Sequence, residues 1–248
     1  MQPAYLRIAD DLRRQIIDGR RAPGDKIPGR RELAEQYGVS DKIAMKAVQV
    51  LVSEGYVESR SGAGTYIRRR PAVRRLTRSW YREARGRASS PFRADMEAQG
   101  RVGNWRSSSR KDAAPSAVAE RLGIAEGDPV MRTHYVFLAD DEPVMLSTSW
   151  EPLELTRGTP VLLPEQGPHA GAGVVARMRA IGLEIGIATE VVTARAITAA
   201  EAAELDEPLG SIVMVIRRTY ATEERPVETA DIIVPVDRYE LAYVIPVE

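Results

Sequence analysis

Arg30, Arg31, Lys42, Lys46 and Arg60 fall in one stretch from Pro28 to Arg70, with Ser40, Asp41, Gly62 and Thr65 set among them. Guanidinium and ammonium groups bind phosphate oxygens, and an arginine can also read guanine through two parallel hydrogen bonds. Gly62 sits in Ser61-Gly62-Ala63-Gly64, which is small enough to let backbone approach a phosphate or a groove floor. The residue types of several other chemistries are missing. With no cysteine and only His134 and His169, the chain has no thiol nucleophile, no thiolate metal site and no all-histidine zinc site. No nucleophile motif or phosphate-cradling loop appears, so the expectation is a protein that is not an enzyme and needs no cofactor or metal.

These side chains need elements to hold them. Leu6, Ile8, Ala9, Leu12, Ile16 and Ile17 form a helical stripe from Tyr5 to Asp18, closed by Gly19. Gly29, with Glu32 three residues on, opens a second helix that buries Leu33, Ala34 and Tyr37 and ends at Gly38. Ser40 is an N-cap for a third helix striped by Ile43, Ala44, Ala47, Val48, Leu51 and Val52. Tyr56 to Arg60 and Thr65 to Arg69 alternate like paired strands around the Gly-rich tip. Two helices meeting at a tight turn, followed by a hairpin, outline a winged helix-turn-helix, which lays one helix in the DNA major groove.

Charge supports a polyanion partner for this half. The formal net charge is zero, yet residues 1 to 111 carry 25 of the 35 basic and 12 of the 35 acidic side chains, leaving 10 and 23 for residues 112 to 248. The N-terminus lacks an apolar signal core and no apolar run approaches the roughly 20 residues that span a bilayer, so a cytoplasmic location and no membrane partner are expected.

The order Tyr5 to Gly19, Pro23-Gly24, Pro28, Arg31-Glu32-Leu33-Ala34, Gly38-Val39-Ser40, Leu51, Glu54-Gly55 and Gly62-Ala63-Gly64-Thr65 closely resembles the GntR family of bacterial transcriptional regulators. The resemblance implies DNA contacts from Arg31, Ser40 with Lys42, and Gly62. Two positions depart from the family pattern: Asp41 and Met45 stand where arginines are usual. Aspartate can only accept a hydrogen bond, for example from cytosine N4, so the operator should differ from the common family sequence. An acid in the first helical turn also simply suits the helix dipole. Arg30 and Lys46 remain as phosphate or base partners, and Arg60 as a phosphate contact.

Pro71 to about Arg78 reads as a linker. Trp80 to Lys111 is rich in arginine and serine; periodicity there supports one short helix, Pro91 to Ala98, and no structure for Arg106 to Arg110. From Ala114 the chain repeats at an offset of 83, pairing Leu122 with Leu205, Gly127 with Gly210, Val130-Met131 with Val213-Met214 and Pro143-Val144 with Pro226-Val227. Each copy reads as a helix, a turn, a strand, an acidic hairpin and a second strand, which can build one antiparallel sheet backed by helices with a pseudo-twofold relation. The piece between the copies should hold a helix from about Gly173 to Ile181, then Gly182 and a strand.

Residues 80 to 245 resemble the effector-binding UTRA domain of the HutC subfamily, through Ser90-Pro91-Phe92, the first strand unit, the middle helix, Pro226-Val227-Glu228 and Asp237-Arg238-Tyr239. The resemblance implies an α+β fold like that of chorismate lyase, binding a small molecule between sheet and helices. The domains expected are 1–70 for DNA, 71–79 as linker and 80–248 for effector binding and dimerisation. Strand parity places Tyr135, Phe137, Ser147, Arg218, Tyr220 and Glu228 on one face as pocket candidates, with Ser90 and Arg93 beside them. Subfamily members that take phosphorylated sugars carry arginines at the Tyr135 and Phe137 positions and a Gly-Ser-Leu-Tyr-like stretch where this chain has Ala172-Gly173-Val174-Val175. An effector that is not a phosphosugar, less charged and more apolar or aromatic, is therefore expected. The expected function is a ligand-responsive repressor, a homodimer on palindromic double-stranded operator DNA. The alternative is a DNA-binding regulator whose C-terminal domain only dimerises.

Overall fold

The structure is a computed structural model and describes residues 2–68, 74–77 and 90–243. Its residue contacts divide the chain into two compact units. The first comprises Met1–Ala72 with Ala196–Ala199 and Glu207–Ser211; the second comprises Val73–Arg195, Ala200–Asp206 and Ile212–Glu248.

Three helices make the body of the first unit: α1 (Ala4–Ile17), α2 (Arg30–Tyr37) and α3 (Asp41–Ser53). Their apolar stripes meet in a core of Ile8, Leu12, Leu33, Ala44, Ala47 and Leu51, which also takes in Ile27, Val57 and Ile67. Leu12, Leu33 and Leu51 have no exposed surface, and each fully buried leucine contributes on the order of 2 kcal/mol by leaving water. Gly29 caps α2 as a box: its N–H donates to Glu32 Oε2 at 2.8 Å. Gly38 ends α2 in the left-handed region, at φ 64°. Ser40 occupies the N-cap position of α3, but its side chain makes no capping bond. Strands β1 (Val57–Arg60) and β2 (Gly64–Ile67) then pair antiparallel, from Val57 with Ile67 to Arg60 with Gly64.

The second unit is built on one six-stranded sheet. Its strands are β4 (Gly103–Ala113), β5 (Pro129–Ala139), β6 (Glu142–Pro152), β7 (Ile187–Ala196), β8 (Ile212–Ala221) and β9 (Pro226–Pro235), in the order β4-β5-β6-β9-β8-β7. Helices α4 (Pro91–Ala98), α5 (Ser116–Leu122), α6 (Leu153–Thr156), α7 (Gly173–Arg179) and α8 (Ala199–Leu205) lie between strands in the sequence. The 83-residue repeat is visible in these bounds. Ser116–Leu122 shifts onto Ala199–Leu205, β5 onto β8, and β6 onto β9. Even the β-bulges correspond, between Phe137 and Leu138 in one hairpin and between Tyr220 and Ala221 in the other.

Two stretches differ from the sequence expectation. Arg106 to Arg110, expected to have no regular structure, lies in the middle of β4. This edge strand is mostly exposed, so it needs no apolar alternation, and its register comes from pairing with β5, Trp105 opposite Phe137 and Ser109 opposite Thr133. It shifts by 83 onto β7, so each repeat begins one strand earlier than Ala114. The stretch read as a linker contains β3 (Arg74–Thr77), which pairs in parallel with β10 (Tyr239–Ala242). Residues 69–73 and 78–80, also within or beside that stretch, lie outside the described residues.

Candidate functional site

In the first unit the cationic candidates project from the turn, helix and hairpin. Arg30, Arg31, Lys42, Lys46 and Arg60 are all exposed, as are Ser40 and Gly62, while Asp41 and Thr65 are half-buried. Met45 stands on the same helix and is also exposed. Asp41 accepts an ion pair from Arg30, whose Nε lies 3.0 Å from Asp41 Oδ2. The acid that opens α3 is thus tied to the cation that opens α2. Lys46 Nζ lies 4.0 Å from the Tyr5 ring centroid, and the Arg60 guanidinium 4.6 Å from that of Tyr66. Arg60 also pairs with Glu58. At the hairpin tip, Gly62 has φ 70° and open space around it, and Gly64 has φ 117°. A Cβ on Gly64 would meet only the movable end of the Lys26 side chain, so it is the backbone there that favours glycine.

In the second unit a cavity of about 140 Å³ opens on one face of the sheet. That is room for a small molecule of on the order of ten heavy atoms. Tyr135 and Phe137 from β5, Met145, Ser147 and Ser149 from β6, Arg218 and Tyr220 from β8, and Glu228 and Ile232 from β9 form its strand wall. Trp105 of β4 belongs to the same wall, and the rest of the lining is Ser90, Phe92 and Asp95 at α4, Pro164, Glu165 and the run from Gly171 to Arg177. Seven of the eight positions named from the sequence therefore line one space. Arg93 is not among the lining residues; its guanidinium lies 4.8 Å from the Trp105 ring centroid.

Aromatic rings form one side of this space. Phe137 is tilted against Phe92 with centroids 4.8 Å apart, and stacks on Tyr135 at 5.5 Å; Trp105 follows at 6.2 Å. The deep side is ionic. Arg177, 2% exposed, donates twice to Glu151, at 2.7 and 3.0 Å, and once to the Val161 carbonyl. Arg218 donates to Glu228 Oε1 at 3.1 Å, and its guanidinium lies 4.3 Å from the Tyr220 centroid. Glu228 is 0% exposed and its Oε2 has no hydrogen-bond partner among the described residues. Burial raises the pKa of Glu228 above the usual carboxylate range, against the pull of Arg218, with the Glu151 charge adding to the rise. Tyr135 donates to Glu165 Oε1 at 3.2 Å, and Gly171 N–H to Glu165 Oε2 at 3.1 Å. Burial, chiefly, and that carboxylate hold the phenol protonated.

Phe92, Trp105, Glu165 and Arg177 are lining residues that sequence parity did not reach. Phe92 follows Ser90-Pro91 at the start of α4, and Trp105 sits on β4, an edge strand without apolar alternation. Glu165 and Arg177 come from the piece between the repeats, where periodicity says little. The repeat itself explains part of the cavity. Tyr135 and Arg218 are equivalent positions, as are Phe137 and Tyr220, so the two halves bring matching strand positions to one place. Among the described residues there is no group of three or more potential metal-ligating side chains, and no helix is long and apolar enough to cross a membrane.

A winged helix-turn-helix joined to a cavity-bearing antiparallel sheet defines a class of DNA-binding regulators. Residues 4–67 match the family of bacterial regulatory proteins called gntR, and residues 98–240 match the UTRA domain. The chain belongs to the GntR family and has the architecture of its HutC-type, UTRA-containing subfamily. It is 31% identical to the HTH-type transcriptional regulator SCO4628 of Streptomyces coelicolor, over 89% of this chain and 84% of that one. It is 27% identical to the transcriptional repressor NagR of Bacillus subtilis, over 62% of this chain and 59% of that one. The crystal structure of a GntR-family transcriptional regulator, 49% identical, covers all of this chain and 99% of its own, with a TM-score of 0.77. PhnF of Mycobacterium smegmatis, 25% identical, covers 97% of this chain and all of its own, with a TM-score of 0.58. The protein is a transcriptional regulator of the GntR family with a UTRA domain.

Proposed function

We propose that this protein is a ligand-responsive repressor that binds a palindromic operator as a homodimer in the cytoplasm and is released or modulated by a small molecule in its second unit. The observation that carries the proposal is the cavity: a winged-helix chain needs no cavity lined by aromatic rings and buried ion pairs in order to hold DNA. Residues 1–70 serve as the DNA-binding head, 71–79 as the connection and 80–248 as the effector-binding and dimerising part. In the head, Arg31, Ser40, Lys42 and Lys46 face the major groove, with Arg30 held by Asp41 at its edge. Arg60, Gly62 and Thr65 bring the wing to the adjoining backbone. In the second unit, Tyr135, Phe137, Ser147, Arg218, Tyr220, Glu228 and Ser90 surround the effector, and Arg93 supports Trp105. The NagR relative, named a repressor, supports the sign of regulation.

Footprinting on DNA upstream of its own gene tests the DNA side. Two protected half-sites about one helical turn apart, or a multiple of it, are expected, and an asymmetric single site would refute the dimer. Thermal-shift screening against a broad metabolite library tests the effector side. A saturable rise in melting temperature is expected, and silence across the library would favour a C-terminal domain that only dimerises.

A further inference from the structure

The charges around the cavity discriminate between ligand classes. Three carboxylates line it, Asp95, Glu165 and Glu228, against two guanidiniums, those of Arg177 and Arg218. Both cations already face acids: Arg177 is held bidentately by Glu151, and Arg218 by Glu228. Among the described residues, Glu151 adds a fourth acid behind Arg177, and Arg93, over the Trp105 ring, a third cation. A phosphate or carboxylate head entering here would meet guanidiniums whose charge is already taken up by Glu151 and Glu228.

A cationic head meets the opposite situation. Glu228 is fully buried, its Oε1 takes Arg218, and its Oε2 is a carboxylate oxygen without a partner among the described residues, at the cavity wall. A buried acceptor left unpaired is costly, and a donor from a ligand removes that cost. The aromatic wall of Phe92, Trp105, Tyr135 and Phe137 suits a flat apolar body, and ring faces attract a cation.

We propose that the cavity takes a small ligand with a flat apolar or aromatic body and a protonated nitrogen head, an amine or amidine, that donates to Glu228 Oε2. This rests on the reading of the cavity as the effector site. It disfavours sugar phosphates, because both lining guanidiniums already face acids.

The test uses full-length protein and matched probes on two scaffolds. The phenyl set is phenethylamine, 2-phenylethanol, 3-phenylpropanoate and phenyl phosphate; the indole set is tryptamine, indole-3-ethanol and indole-3-acetate. Ligand-observed NMR gives their affinities for wild type, Glu228→Gln and Glu165→Gln. The amines should bind at least tenfold more tightly than the acids of the same scaffold. Glu228→Gln should weaken amine binding about tenfold and leave the alcohols within twofold, the alcohols serving as the check that the cavity is intact. Should that variant fail to fold, Glu165→Gln, whose carboxylate sits on a connecting segment, should weaken the amines severalfold and spare the alcohols. Tighter binding by a carboxylate or phosphate probe, binding by none of the probes, or amine affinity unchanged by substitution overturns the ligand class. The effector reading itself falls only if the broad metabolite screen is silent as well.

Discussion

Asp41 holds Arg30 at 3.0 Å across the helix-turn-helix. Both side chains are about half exposed, so the pair contributes at most about 1 kcal/mol to stability. Its effect is on position: it sets where the Arg30 guanidinium stands and places an acceptor at the start of α3. Asp41→Arg should therefore add a guanine to the preferred half-site, worth about 1–3 kcal/mol, when binding sites are selected from random DNA. An unchanged preferred sequence would show that Asp41 lies off the bases. Tyr37 bridges α2 to α1 by donating to Asp11 at 2.6 Å, and burial with that carboxylate raises its pKa to about 12. A raised pKa means that the stabilisation is whole below the unfolded value near 10 and is lost as pH rises through about 12. Tyr37→Phe should cost about 1 kcal/mol in urea titrations at neutral pH and flatten the fall in stability between pH 10 and 12. Beneath the cavity, Glu151→Ala should cost about 3–5 kcal/mol, because it leaves the buried Arg177 guanidinium uncompensated, while replacing both members by apolar residues should cost much less.

At the level of elements, the first unit was legible because each helix carries its own start, stripe and stop. Gly38 illustrates this: at φ 64°, with nothing within 4 Å of where a Cβ would lie, it is glycine for backbone reasons alone. Gly38→Ala should cost about 1–2 kcal/mol in the melting of the head and leave operator affinity intact under folding conditions. The second unit was legible where strands carry apolar residues, as in β5 and β8, and through the 83-residue repeat that links them. β4 escaped because an exposed edge strand needs no apolar pattern; Arg106-Ser107-Ser108-Ser109-Arg110 is a strand only because β5 pairs with it. β3 escaped for a related reason, since its partner β10 lies far along the chain. The cavity divides in the same way. Strand parity reached Tyr135, Phe137, Arg218 and Tyr220, whereas Glu165 and Arg177 are brought in by a connection whose course no local pattern encodes.

Across the whole molecule the charge is divided: the basic residues 1 to 111 hold the helix-turn-helix, while the cavity draws its lining from both halves. Operator affinity should fall steeply with salt, and each phosphate contact contributes about 0.9 to the log–log slope. Lys46→Ala should then lower the slope by about 2 for a dimer without changing the preferred sequence, whereas a changed sequence with the same slope would make Lys46 a base reader. The exposed positions of Lys42, Lys46 and Arg60 suit this role, and the mixed charge of the second unit does not. Coupling between the two halves is the central claim, since a cavity that never alters DNA binding is not a switch. A tenfold change in affinity requires about 1.4 kcal/mol of coupling. The decisive measurement is the affinity of full-length protein for its footprinted operator, by fluorescence anisotropy, with and without a saturating concentration of the probe or metabolite that binds the cavity most tightly. The account predicts at least a tenfold change in Kd, abolished when cavity substitutions remove ligand binding. The same Kd with the cavity empty and saturated would contradict it.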